Sequence, residues 1–195
     1  MTVIKIVGEE PFGGLVSINN LKTIASLALH TAASEVSEML RHSGVRHVVV
    51  GGVAVSCNGY SRTTSNVDYA VGPCAFEYRN KALYLRPDLP VKYLGIPIHY
   101  VAPTNPFERA MLERYMVIPD RGQVPILPVK PLIVMKLISH RHKDLADLVE
   151  LLKRRISEIE DIRAFVGENL PAQKDTFDEL VACAESEMAE EGTII

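Results

Sequence analysis

The chain has no tryptophan, three cysteines and five phenylalanines in 195 residues. Cys57, Cys74 and Cys183 are odd in number and far apart. That excludes both a disulfide framework and a paired-cysteine metal knuckle, and a reducing, cytoplasmic setting is the expectation. A basic excess is missing too: 21 Lys and Arg face 24 Asp and Glu, for a formal net charge of −3. With only 6% aromatics, this argues against a general nucleic-acid binder. No apolar run approaches the roughly 20 residues of a membrane span, so no membrane partner is expected. The sequence contains no Gly-x-x-x-x-Gly-Lys loop, no Gly-x-Gly-x-x-Gly fingerprint, no His-Glu-x-x-His helix and no Gly-x-Ser-x-Gly elbow. The P-loop, dinucleotide, zinc-protease and α/β-hydrolase readings therefore lose their usual support.

What is present is enough apolar matter, 47% of residues, to bury one sizeable core. Charge is unevenly spread. Residues 1 to 127 carry 12 basic and 10 acidic side chains, residues 128 to 155 carry 7 and 3, and residues 156 to 195 carry 2 and 11. The acidic end reads as a separate electrostatic region, a solvated helical face or a partner-binding surface.

Leu21, Ile24, Leu27, Ala28, Val36, Met39 and Leu40 fall at helical spacings, so residues 20–43 are predicted to form a helix that stops at Gly44. The β-branched run His47-Val48-Val49-Val50 follows and ends in Gly51-Gly52, a buried strand running into a glycine turn. Further strands are predicted at 67–71, 93–101 and 123–127. From Pro131 the period becomes helical and stays so, with helices over 131–155, 157–168 and 171–190. Ser157 is expected as an N-cap, with Glu160 three residues on, and Pro171 in a first turn. The fold class is α/β, with a core over residues 1–127 and a C-terminal helical segment over 128–195 packed on it.

The chemistry concentrates between residues 51 and 68: Gly51-Gly52, a further glycine at Gly59, then Arg62-x-Thr64-x-Asn66-x-Asp68. Side chains at i and i+2 of a strand share a face, with Cα atoms about 6.6 Å apart, so two oxygen-bearing groups spaced as Asn66 and Asp68 can address one ligand. Glycines let backbone N–H groups come close to phosphate oxygens. Taken singly, each of these residues has an ordinary structural explanation. Their order is what points to a site.

That order resembles the signature of minimal nucleotidyltransferases, the group that includes abortive-infection toxins of the same fold. Their pattern runs Gly-Gly/Ser, a short helix with a further Gly, and Arg-x-Thr-x-Asp-x-Asp at a strand start. The likeness extends through Gly95-Ile96-Pro97-Ile98-His99, where the family places a third carboxylate. It continues through Pro131-Leu132-Ile133-Val134-Met135-Lys136-Leu137 and Arg141-His142-Lys143-Asp144-Leu145-Ala146-Asp147, about residues 45 to 152 in all. The resemblance implies a nucleotidyltransferase-like mixed β-sheet core flanked by helices and a pocket for a small anionic, nucleotide-like ligand. It also implies transfer of a nucleoside monophosphate from NTP to a hydroxyl acceptor. Asp68, His99 and Asn66 then take the catalytic positions, and Gly51, Gly52, Arg62, Thr64 and Lys136 the phosphate-binding ones.

Asn66 stands where the first Asp of the pattern would be and His99 where the third would be. A Mg²⁺ ion would therefore rest on Asp68 as its one carboxylate, and Mg²⁺ disfavours nitrogen ligands. Two alternatives follow: a binding or regulatory module without chemistry, and a metal-independent enzyme with His99 as general base. Lys136, His140, Lys143 and Asp147 fall at i, i+4, i+7 and i+11, a polar stripe on one continuous helix. In this reading Lys136 faces the phosphate site, while Asp144 or Asp147 pairs with Arg141 or Lys143. The oligomeric state is left open.

Overall fold

The computed structural model describes residues 3–6, 15–16, 24–79, 81–103 and 106–192. Contacts divide the chain into two compact units. Residues 1–57 and 62–128 form the first, and residues 58–61 and 129–195 the second. The helical unit thus takes in Asn58–Ser61, a segment the sequence reading assigned to the first domain.

The first unit is a mixed α/β sheet. In chain order its elements are β1 (Val3–Ile6), β2 (Leu15–Val16), α1 (Ile24–His42), β3 (His47–Val50), α2 (Gly51–Cys57) and β4 (Val67–Val71). After these come β5 (Phe76–Arg79), β6 (Ala82–Leu85), β7 (Lys92–Tyr93), β8 (Ile96–Val101), α3 (Pro106–Glu113) and β9 (Gln123–Ile126). Seven strands lie in the order β2-β1-β9-β3-β4-β8-β7, and β5 and β6 form a separate hairpin. β3 runs antiparallel to β4, while β4 and β8 are parallel with Asp68 opposite His99.

The apolar pattern explains this arrangement. On α1, Ala32, Ala33, Val36, Ser37 and Leu40 are buried, a stripe at helical spacing. That stripe packs on β3, β4 and β9, whose Val48, Val49, Val50, Val67, Tyr69, Val71, Val124 and Ile126 are buried as well. β3 is buried along its whole length and β4 everywhere but at Asp68, so the central strands are covered on both faces except at that position.

Two departures from the sequence reading have local causes. The strand predicted over 93–101 is a hairpin, because Leu94 and Gly95 both take positive φ (46° and 84°), the two-residue turn that reverses a strand. The helix predicted over 20–43 is described from Ile24 to His42, and its residues 20–23 lie outside the described ones.

The second unit is helical: α4 (Val129–Ser139), α5 (His142–Lys153), α6 (Ile159–Asn169) and α7 (Lys174–Gly192). Leu132, Ile133, Leu137, Leu148, Leu151, Leu152, Ile162, Val166 and Phe177 fill its core. The single helix predicted over 131–155 is two helices, broken at His140, whose φ of 49° no helix residue can adopt. Ser157 is no N-cap: it lies inside a 3₁₀ turn, Ile156–Glu158, and α6 starts after Glu158 without a side-chain cap. Pro171 opens a 3₁₀ turn that runs into α7. Among the described residues no helix is long and apolar enough to cross a membrane.

Candidate functional site

β3 ends at Val50, and Gly51 turns the chain into α2 with φ +64°. A Cβ on Gly51 would collide with the Asp68 carboxylate, and one on Gly52 would come within 2.7 Å of Thr64 Oγ1. Both glycines are therefore required by what lies against them, and Gly51 by its positive φ as well. The turn presses against the start of β4, and this brings Gly51, Gly52, Thr64 and Asp68 into one place. The Thr64 hydroxyl donates to the Asn66 carbonyl at 3.4 Å.

The parallel pairing of β4 with β8 then sets His99 beside Asp68. The Asn66 amide Nδ2 donates to Asp68 Oδ1 at 2.6 Å. His99 Nδ1 lies 3.1 Å from the same oxygen and 3.2 Å from Asn66 Nδ2. Three polar side chains thus converge on one point. The His99 side chain is 60% exposed and that of Asp68 22%, so the cluster is open to solvent.

Arg62 lies two residues before Thr64 on the approach to β4, partly exposed, with Nη1 donating to the Thr63 carbonyl at 3.0 Å. A cation therefore stands near the cluster in sequence.

The cluster does not suit Mg²⁺, the ion that the resemblance implies. A hard dication is bound through oxygen. Here one carboxylate is present, its Oδ1 already takes an amide N–H, and an imidazole nitrogen stands where a third oxygen would be needed. Among the described residues no group of three His, Cys, Asp or Glu side chains is placed to hold a metal.

Lys136 departs from its expected role. It is buried in the helical unit, and its ammonium donates to Asp144 Oδ1 at 2.8 Å and to Asp147 Oδ2 at 2.5 Å. The break at His140 causes this by folding α5 back on α4, so residues that a continuous helix would line up in a stripe meet face to face. Asp144 also accepts from Arg141 at 2.6 Å and from Ser139 at 2.8 Å. Burial raises the Asp144 carboxyl, but the bonds from Arg141, Lys136 and Ser139 outweigh it and bring the group down to about 2. Asp147 takes Lys136, and the expected pairing of Asp144 with Arg141 is present.

A second polar contact in the sheet unit went unread in the sequence. His47, fully buried at the head of β3, accepts from the Ser37 hydroxyl at Nε2 (2.7 Å) and donates from Nδ1 to the Val45 carbonyl (2.8 Å). Its ring meets Tyr69 edge to face at 5.7 Å. Burial pushes His47 down to about 4, partly opposed by the Val45 carbonyl. The one signal for it was a histidine opening an otherwise apolar β-branched run.

No protein-family model matches this chain, and no curated protein is significantly similar to it.

Proposed function

We propose that the chain is a nucleotidyltransferase-like protein whose Asn66–Asp68–His99 cluster and adjoining glycine turn receive a small anionic, nucleotide-like ligand. One observation carries the reading. Groups far apart in sequence, Gly51 and Gly52, Thr64, Asn66 and Asp68, and His99, gather at one solvent-open point through β3, α2, β4 and β8, in the order of the family signature. In this reading Arg62 supplies positive charge for the ligand's phosphate, and the backbone N–H groups of the glycine turn add donors to it.

Binding of ATP, GTP, CTP and UTP, and of their monophosphates, is tested by thermal shift and isothermal titration. At least one nucleotide raises the melting temperature, and Arg62→Ala weakens it tenfold or more. If no nucleotide binds, or if folded Arg62→Ala binds as the wild type does, the reading fails.

The 3.1 Å approach of His99 Nδ1 to Asp68 favours a second reading, metal-free general-base chemistry. Nδ1–H would donate to the carboxylate and leave Nε2 as the acceptor for a substrate hydroxyl proton. In that case His99→Ala removes turnover and leaves nucleotide affinity nearly intact. This reading needs a proton on Nδ1, and it fails if Nδ1 is a metal ligand.

A further inference from the structure

The β5–β6 hairpin forms a sheet of its own, and among the described residues no third strand joins it. A two-stranded hairpin is marginal in water unless something covers it. Here Tyr78 and Leu83, a cross-strand pair on one face, are 73% and 58% exposed. The hydrogen-bond alternation fixes which backbone groups face the open edge of β5. Arg86 N–H donates to the Ala75 carbonyl at 3.0 Å, so Ala75 and Arg86 form a hydrogen-bonded position of the ladder. Such positions alternate in an antiparallel pair, which places Glu77 with Tyr84 and Arg79 with Ala82 among them. Phe76 and Tyr78 therefore turn their N–H and C=O groups away from β6. The Phe76 N–H folds back onto the Pro73 carbonyl. Tyr78 presents a donor and an acceptor together on the open edge.

A second copy of this chain offers the same edge, and the charges of β5 choose the register. A two-fold axis normal to the sheet has to pass through a residue paired with its own counterpart. On Glu77 or on Arg79 it sets like charges directly opposite each other, which is destabilising. On Phe76 it lacks the N–H that the Pro73 carbonyl already takes. On Tyr78 both conditions are met. The two Tyr78 residues exchange a pair of backbone hydrogen bonds, and Glu77 of each copy faces Arg79 of the other at positions where side chains come closest. Glu77 and Arg79 are already ion-paired along the strand, so this pairing gives each carboxylate a second guanidinium. The outer edge of β6, Ala82–Leu85, carries no charge to fix a register and so specifies no partner.

We propose that the chain forms a two-fold dimer through β5, with the hairpins of two copies joined edge to edge in a four-stranded antiparallel sheet of order β6-β5-β5-β6. Charges on an edge strand repel a mismatched strand, and here they also mark the one register that is accepted. The two Tyr78 side chains lie side by side on the face that carries Leu83, so each exposed ring gains an aromatic neighbour. Strands of four residues bury less than the roughly 1,200 Å² at which standard interfaces begin, so the dimer is reversible and of micromolar strength. This inference does not depend on the nucleotide reading.

The test measures the mass of the full chain in solution by sedimentation equilibrium, over about 5 to about 200 µM. The wild type passes from monomer toward dimer across this range. Glu77→Arg and Arg79→Glu each raise the dissociation constant tenfold or more, because each sets like charges opposite one another in both halves of the joined sheet. Mixed in equal amounts, these two variants form a heterodimer, since every arginine then faces a glutamate. The double variant, Glu77→Arg with Arg79→Glu, regains the homodimer for the same reason. Circular dichroism checks that each variant is folded, and a variant that had merely lost its fold could not be rescued by mixing. The inference is overturned if the wild type stays monomeric throughout, an outcome that gives the edge to a strand of another protein. It is overturned as well if either single variant dimerises as the wild type does, or if mixing yields no heterodimer.

Discussion

Each unit of the protein holds a knot of three polar side chains within hydrogen-bond reach of one another. In the sheet unit it is Asn66, Asp68 and His99, and in the helical unit Lys136, Asp144 and Asp147. The helical knot is 5% exposed or less, and its cation lies between two carboxylates, one of which takes further bonds from Ser139 and Arg141. Such an arrangement repays desolvation through matched partners and fixes how α5 folds back on α4. The sheet knot is open to water, with the His99 side chain 60% exposed, and its carboxylate takes its bonds from Asn66 and His99 at one oxygen. Polar groups left open at a surface stay accessible to a ligand. A complete match in the interior marks architecture. The residue types alone do not make this distinction, since a lysine and two aspartates would be the more conventional site.

The sharpest way to break the comparison is to remove the charge at the centre of the buried knot. Lys136→Met leaves two buried carboxylates facing each other and is expected to cost about 3–5 kcal/mol in urea unfolding. Adding Asp144→Leu and Asp147→Leu recovers most of it, because an apolar set of similar volume carries no desolvation cost. A loss below about 1 kcal/mol for Lys136→Met would show that the knot is not architecture.

Acid separates the buried groups of the two units. His47 stays neutral down to about pH 4 in the fold, against an ordinary value of 6.5. Between these limits the unfolded chain binds a proton that the folded one refuses. Stability therefore falls as pH drops from 6.5 to about 4, by about 3 kcal/mol in total. His47→Gln should flatten that slope. Asp144 acts in the next window down: its contribution is complete above its ordinary 3.8 and disappears as pH falls toward about 2. Melts at closely spaced pH values should show the His47 step first, and a single step below pH 4 would contradict the assignment.

Glycine substitutions sharpen the view of the open site. Gly44 and Gly51 both have positive φ, 68° and 64°, but nothing lies within 4 Å of a Cβ on Gly44. Gly44→Ala therefore meets backbone strain alone, about 1 kcal/mol. Gly51→Ala adds the collision with Asp68, for a total of about 2–3 kcal/mol. Equal losses in the two variants would mean that Asp68 moves aside freely and that the turn is not shaped around it.

The smallest expected effect on stability completes the contrast. His99→Ala and Asp68→Asn should each alter unfolding free energy by no more than about 0.5 kcal/mol, as substitutions at open polar positions do. A destabilisation above about 2 kcal/mol in either would place the surface knot with the buried one, as structure.

The sheet core was legible because it rests on short-range signals, β-branched runs, glycines and the i, i+2 alternation of strands, whereas His99 was set beside Asp68 only by the resemblance, since the β4–β8 pairing that joins them is long-range. The break at His140 was not. Neither glycine nor proline marks it, and the apolar positions of α4 and α5 continue in phase across it, so Lys136 falls on a polar stripe that the resemblance turns toward the phosphate site. The turn at Leu94 and Gly95 was half visible, since glycine signals it but leucine at positive φ does not. The β5–β6 hairpin alternates apolar and charged residues in Phe76-Glu77-Tyr78-Arg79 and was simply passed over. Whether a cation or histidine is buried depends on partners far away in the chain, Asp144 and Asp147 for Lys136, Ser37 for His47. No local pattern reports such pairings.

The capture of Asn58–Ser61 by the helical unit concerns the order in which the molecule can be completed. The polypeptide passes from the sheet unit into the helical one and back before it crosses for good after Pro128. The Arg154 guanidinium lies 4.9 Å from the centre of the Tyr60 ring, and Arg155 donates to the Asn58 carbonyl at 3.5 Å across 97 positions of sequence. During synthesis the link between α2 and β4 therefore emerges long before the arginines that hold it. A fragment ending at Pro128 contains every strand of the sheet, but the link bearing Tyr60 has lost those partners. The natural seam of this protein is consequently not a single cut, and any attempt to graft or circularly permute the sheet unit has to carry that four-residue loan with it.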